Sequence, residues 1–195
     1  PTRDNFNGSW EQVLVAPFFN SAPTTRAEVQ NIALLGLAAG TSAREAYEVY
    51  PQAAVDGYEI DPQIIQVAYD LFHLDVPTLN VFIEDARWGL NHSEARYDII
   101  SIDAYKPPYI PWHLTTQEFF QETYDHLSED GTLVINVARI LDNRNLVNSL
   151  YTTIHSVYPS VYIVDIPSTL NSMIFATRQP TQADNLIANY IPLSE

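Results

Sequence analysis

Short apolar runs separated by helical stretches recur along the chain, and their alternation predicts its elements. A first strand over residues 31–37 contains the run Ile32, Ala33, Leu34, Leu35 and ends in the small-residue turn Gly36-Leu37-Ala38-Ala39-Gly40. A helix follows, with Thr41 or Ser42 as its cap, Glu45 in its first turn and Pro51 beyond its end. A second strand over 53–60 runs out at Glu59 and Ile60. Asp61-Pro62 then opens a helix, with Asp61 as N-cap and Pro62 at the first helical position, where its missing amide costs nothing. Ile64, Ile65, Ala68, Leu71 and Phe72 recur there at helical spacing and define the buried face. Strands over 79–83 and 97–102 end at Glu84-Asp85-Ala86-Arg87 and at Asp103. The segment 103–114, DAYKPPYIPWHL, carries three prolines, two tyrosines and a tryptophan, which predicts a stiff aromatic loop. Thr115 or Thr116 caps a helix reaching His126, Gly131 opens a strand over 132–137, and 143–158 is a further helix. Apolar runs at 161–166 and 172–177 are the last strands, and a short helix starts near Gln182. Residues 1–30 hold prolines and polar residues around an alternating run at 10–19, which predicts an edge strand or a packing arm.

Strands alternating with helices predict an α/β domain. Its sheet is mostly parallel with helices on both faces, because right-handed crossovers place them there. The two closing strands lack a full helix between them, so an antiparallel pair is expected at one edge. This pattern resembles the Rossmann-like fold of S-adenosylmethionine-dependent methyltransferases. The length of 195 residues suits one domain over 31–195 preceded by the arm. In open α/β sheets ligands bind at the carboxyl ends of the strands, here Gly36, Glu59, Asp85 and Asp103. A strand, a tight turn of small residues and a helix, followed about 20 residues later by an acid, is the pattern of a nucleoside site. Gly36, Ala38 and Gly40 would let the backbone approach the ligand, Glu59 would hold the ribose hydroxyls, and Ile60 would pack on the adenine. Asp85 can accept from the adenine amino group while the Ala86 amide donates to a ring nitrogen; the alternative for Asp85 is a helix N-cap. Asp103 can take a proton from an attacking amine or anchor a cation, with a capping or turn role as its alternative.

A net charge of −15 and an apolar fraction of 46% indicate a soluble globular protein and argue against nucleic-acid binding. The acidity would attract a cationic substrate such as a polyamine, or it serves solubility alone. There is no cysteine, so disulfides and thiolate chemistry are excluded, and the five histidines show no paired metal-ligand spacing. No metal site is expected. No apolar run approaches the roughly 20 residues of a spanning helix. The chain starts at Pro1 rather than methionine, so the expectation is a fragment of a cytoplasmic protein whose remainder can include a membrane segment.

From about residue 31 to 137 the chain is similar to the spermidine and spermine synthase family, the polyamine aminopropyltransferases. The similarity lies in LGLAAGTSAREAYEVYP, DGYEIDPQIIQVA, EDAR, and YDIISIDAYKPPYIPWHLTTQEFF running into HLSEDGTLVINV. The last two most resemble a branch in which the synthase domain is fused to membrane segments. The resemblance implies a small-molecule nucleoside donor, decarboxylated S-adenosylmethionine, attacked by an amine to release methylthioadenosine; the amine would be a polyamine, and a homodimer is compatible with it. Carried over by position, Glu59 would bind ribose, Asp85 and Ala86 adenine, and Asp103 would accept the proton; Tyr105 and Trp112 match no catalytic motif and are expected only as aromatic lining of the amine channel. Two positions depart from the family pattern. Ala39 stands where the family turn GGGDG has its acid, and Lys106, the only lysine of the chain, stands where a second acid follows the catalytic one. A cation there would repel a diamine. The family's N-terminal hairpin is not recognisable in residues 1–30. With Ala39 the carboxylate of ordinary S-adenosylmethionine would no longer be repelled, so a methyltransferase and a non-catalytic nucleoside-binding domain stay open beside the aminopropyltransferase.

Overall fold

The computed structural model describes residues 8–21, 25–106, 109–139, 143–167 and 169–194. The parts of the N-terminal arm at 1–7 and 22–24, and Pro107 and Pro108 of the aromatic loop, lie outside the described residues. Seven strands form one sheet in the order β3-β2-β1-β4-β5-β7-β6. They are β1 (Asn31–Leu35), β2 (Ala54–Glu59), β3 (Leu79–Ile83), β4 (Tyr97–Ile102), β5 (Leu127–Ala138), β6 (Ser160–Asp165) and β7 (Asn171–Thr177). The first five are mutually parallel, and β7 runs antiparallel to both β5 and β6. The expected antiparallel edge is therefore present, and β7 inserts itself between β5 and β6.

The central strands are apolar on both faces because helices cover both. Within β1, Ala33 and Leu35 face one core cluster while Ile32 and Leu34 face the other, as the two-residue period requires. Helices α1 (Thr41–Val49) and α2 (Pro62–Phe72) pack on one face. Helices α3 (Ala86–His92), α4 (Gln117–His126) and α5 (Asn145–His155) pack on the other, and α6 (Asp184–Ser194) closes the described chain. Asp61 caps α2 by accepting from the Gln63 amide at 2.8 Å, and Thr116 caps α4 by accepting from Phe119 at 3.2 Å. Thr41 and Ser42 do not cap α1; Gly40, left-handed at φ 75°, is the residue before it and makes no side-chain cap.

The arm differs from a strand. Glu11–Phe19 is a 3-10 helix whose Val13, Ala16 and Phe19 are buried, with the Phe19 ring stacked 4.3 Å from Phe175 of β7. Two hydrogen bonds from Asn189 of α6, to the Phe18 and Asn20 carbonyls (3.1 and 2.6 Å), tie this arm to the end of the chain. Helix α3 starts from the N-cap alternative at Asp85, and β5 begins at Leu127, four residues before the anticipated Gly131 turn, because Leu127 already pairs with Tyr97.

Candidate functional site

The order of the sheet reverses at β1: the chain passes from β1 to β2 and β3 on one side and returns to β4 on the other. A cleft opens at such a switch point. Here it is a cavity of about 600 Å³ at the carboxyl ends of β1, β2 and β4. Gly36 and Ala38 from the first turn, Glu59 and Ile60 from β2, Asp85 and Ala86 at the start of α3, and Asp103 and Tyr105 after β4 all line it. Gly40 and Trp112 are not among its lining residues. Gly40 lies behind the turn against Leu74, and the Trp112 ring, 78% exposed, stands edge-on to His113 at 5.9 Å.

The β1 turn is shaped for close approach. Gly36 has φ 108°, and a Cβ there would stand 2.6 Å from the Asp103 carbonyl and 2.7 Å from the Ala104 nitrogen. Only glycine lets β1 and the start of the loop after β4 come this near. Ala38 also adopts a left-handed conformation, at φ 47°. Its amide donates to Glu59 Oε2 at 3.1 Å, while Glu59 Oε1 accepts from the Asp61 amide at 3.1 Å. The carboxylate is thus fixed on both oxygens, and each retains acceptor capacity for a hydroxyl. Ile60 is 67% exposed at the rim, an apolar surface available to a flat ring.

Asp85 is the N-cap of α3, its Oδ1 accepting from the amides of Arg87 and Trp88 at 3.0 Å each. Its Oδ2 meets His113 Nε2 at 2.8 Å. Arg87 reinforces this clasp: it pairs with Glu122 of α4 at 2.7 and 2.5 Å and donates to the His113 carbonyl at 2.9 Å. The aromatic loop is therefore fastened down by the two charged residues of EDAR that follow Glu84, and Arg87 was not singled out for this from the sequence.

Asp103 lines the cavity directly after β4. Its Oδ1 accepts from Asn136 Nδ2 at 2.9 Å, and Asn136 Oδ1 accepts in turn from Asn171 Nδ2 at 2.7 Å. Burial strips the Asp103 carboxyl of water and raises it from 3.8 to about 6, against the opposing pull of the Asn136 amide. The Tyr105 hydroxyl donates to the Asn136 carbonyl at 2.9 Å and accepts from the Ala138 amide at 2.8 Å, so it is committed to β5 and only its ring faces the cavity. Burial pushes that hydroxyl up to about 12. A carboxylate poised near 6 is ionised at neutral pH and takes a proton more readily than an ordinary one, which suits a general base. Asn136 sits inside an apolar strand run and Asn171 at the first position of β7, and no local pattern marks them.

Among the described residues no helix is long and apolar enough to cross a membrane, and no group of three or more acidic or histidine side chains is placed to hold a metal ion.

The spermine/spermidine synthase domain model matches residues 21–188. The chain is 33% identical over 163 residues to a probable polyamine aminopropyl transferase of Bifidobacterium longum, covering 81% of this chain and 36% of that protein. It therefore spans little more than a third of that relative's length. A spermidine synthase in complex with the transition-state analogue AdoDATO superposes with a TM-score of 0.74 at 23% identity, over 90% of this chain and 62% of that one. Human methyltransferase-like protein 13 in complex with SAH superposes equally well, with a TM-score of 0.74 at 21% identity over 95% of this chain and 87% of that one. The fold is that of the Rossmann-like methyltransferases, shared by both neighbours.

Proposed function

Because the chain belongs to the spermine/spermidine synthase domain family, we propose that its cavity binds the adenosyl half of a sulfonium donor and that Asp103 serves transfer of an alkyl group from sulfur to an amine. The observation that carries this reading is the position and proton affinity of Asp103, a partly buried carboxyl raised to about 6 in the same cavity as Glu59 and Ala86. The donor is decarboxylated S-adenosylmethionine and the acceptor a polyamine. AdoDATO on the spermidine synthase neighbour supports a nucleoside of this class.

Each residue has a defined task in this reading. Glu59, held by the Ala38 and Asp61 amides, accepts from the ribose hydroxyls. Ile60 packs on the adenine face, the Ala86 amide at the start of α3 donates to a ring nitrogen, and Asp85 Oδ2 accepts from the exocyclic amine. Gly36 keeps the turn clear of the sugar. The amine nitrogen places its lone pair on the carbon next to the sulfonium. As the new C–N bond forms, the C–S bond breaks and its electron pair returns to sulfur, leaving a neutral thioether. The nitrogen's proton passes to Asp103, whose carboxylate is held by Asn136. Orientation of the two reactants supplies the remainder of the acceleration.

A second reading is favoured by Ala39. The turn that carries an acid in the family pattern has none here, so nothing there repels the carboxylate of S-adenosylmethionine, and methyl transfer becomes chemically available. SAH in the human methyltransferase-like neighbour supports it.

Calorimetric titration with methylthioadenosine, S-adenosylmethionine and its decarboxylated form separates the readings. Preference for the decarboxylated form supports aminopropyl transfer, preference for the parent compound supports methyl transfer, and absence of binding leaves a non-catalytic domain. Asp103→Ala abolishes transfer and leaves nucleoside affinity within a few-fold; turnover at the wild-type rate would remove Asp103 from the mechanism.

A further inference from the structure

The cavity lining includes two opposite charges close together in sequence. Asp103 lines it, and so does Lys106, the only lysine in the chain, three residues further on. Five carboxylates line the same cavity: Glu59, Asp61, Glu84, Asp85 and Asp103. Among the described residues none of them forms an ion pair with Lys106 within 4.0 Å. Four of the five are engaged elsewhere: Glu59, Asp61 and Asp85 by backbone amides, Asp85 also by His113, and Asp103 by Asn136. His113, the other cationic candidate in the lining, is taken up by Asp85.

Lys106 is also held in place at the level of the backbone. Its amide and carbonyl bond the carbonyl and amide of Tyr109 at 2.8 and 2.9 Å. On one side Tyr105 is anchored to β5, and on the other His113 is anchored to Asp85. Lys106 is an exposed cation on the lining of a cavity that also holds Asp103, an acid that suits a cationic or proton-bearing nitrogen. A purely cationic pair of reactants leaves this charge opposed. A reactant carrying both an amino or sulfonium group and a carboxylate satisfies both ends.

We propose that Lys106 receives the carboxylate of a zwitterionic reactant, of amino-acid type, whose cationic or amine centre lies at Asp103. This rests on the nucleoside reading of the cavity above. The carboxylate can be carried by the donor, as in S-adenosylmethionine, or by the acceptor amine, and the test has one arm for each.

Methylthioadenosine has no carboxylate, so its binding to wild type and to Lys106→Glu tests the nucleoside cavity alone; the two affinities are expected within a few-fold. The donor arm compares S-adenosylmethionine with its decarboxylated form. The acceptor arm titrates protein loaded with methylthioadenosine with 4-aminobutyrate and with putrescine, which differ in having a carboxylate or a second ammonium at the far end. Wild type is expected to favour the carboxylate-bearing member by roughly five- to tenfold in one arm, and Lys106→Glu to erase or reverse that preference. The arm that responds identifies the carrier. A wild-type preference for the carboxylate-free member in both arms, or a preference unchanged in Lys106→Glu, overturns the proposal. Failure of methylthioadenosine to bind overturns the nucleoside reading itself, and the proposal with it.

Discussion

Replacing Asp103 by asparagine keeps the shape of the side chain and its acceptor toward Asn136 but removes a group that must ionise where water is scarce. The carboxyl titrates at about 6 in the folded protein against an ordinary 3.8. Between those values the native state holds a proton that the unfolded chain has released, so stability falls as pH rises through the window. Below the ordinary value the two states are equally protonated and nothing is lost. Integrating the linkage for this one group gives a cost of about 1.5 kcal/mol at pH 5 and about 3 kcal/mol at pH 7.5. Asparagine resembles the protonated acid and carries none of this cost. Asp103→Asn is therefore expected to be more stable than wild type, with the gap about doubling between pH 5 and pH 7.5. At the higher pH it corresponds to a rise in Tm of roughly 6–10 °C for a chain of this size. Urea denaturation of both proteins at the two pH values measures the gap directly, and pH 5 stays above the isoelectric point near 4.4. Other carboxylates titrate alike in both proteins and cancel. A gap independent of pH, or a variant less stable at pH 7.5, would refute the claim that Asp103 is held in a desolvated, proton-avid state.

Two further outcomes follow from the same geometry. Asn136→Leu removes the one amide that lowers the Asp103 proton affinity, so the carboxyl should titrate above 6, by about one pH unit or more; carbon-13 titration of labelled aspartates would show it, and an unchanged midpoint would mean the hydrogen bond carries no weight. Gly36→Ala drives a Cβ to 2.6 Å from the Asp103 backbone at a φ of 108°, and should cost more than about 2 kcal/mol in stability by chemical denaturation.

Much of the fold is legible in the chain because its cues are local. The run from Ile32 to Leu35 is apolar at every position, which marks a strand covered on both faces, and Asp61-Pro62 fixes the start of α2 within one residue. Strand ends in such a sheet share one side, so Glu59, Asp85 and Asp103 come to one cavity without any contact being known beforehand. What escaped has a different origin. Asn136 lies 33 residues from Asp103 in sequence and Asn171 a further 35 from Asn136, and neither a polar residue in an apolar run nor one at a strand's start gives a local signal of what it faces. Helix α3 is seven residues long, too short for a period to emerge, and only the N-cap alternative at Asp85 marks it. The alternating run ending in Phe19 became a 3-10 helix because its apolar side chains found the sheet face of β7 rather than a strand partner. Trp112 was included for its aromatic character alone, and the turn at Pro111 carries it outward.

The chain of amides from Asn171 through Asn136 to Asp103 ties the acid to a strand laid down late in synthesis. Every described cavity-lining residue precedes position 115, yet the setting that tunes Asp103 is complete only when β7 has slotted in between β5 and β6. A chain cut just after β5 would carry every described lining residue of the cleft, but Asn136 would lose its brace and β5 would lie open along one side. The residues that line the cleft and those that tune its acid are thus written in different parts of the polypeptide.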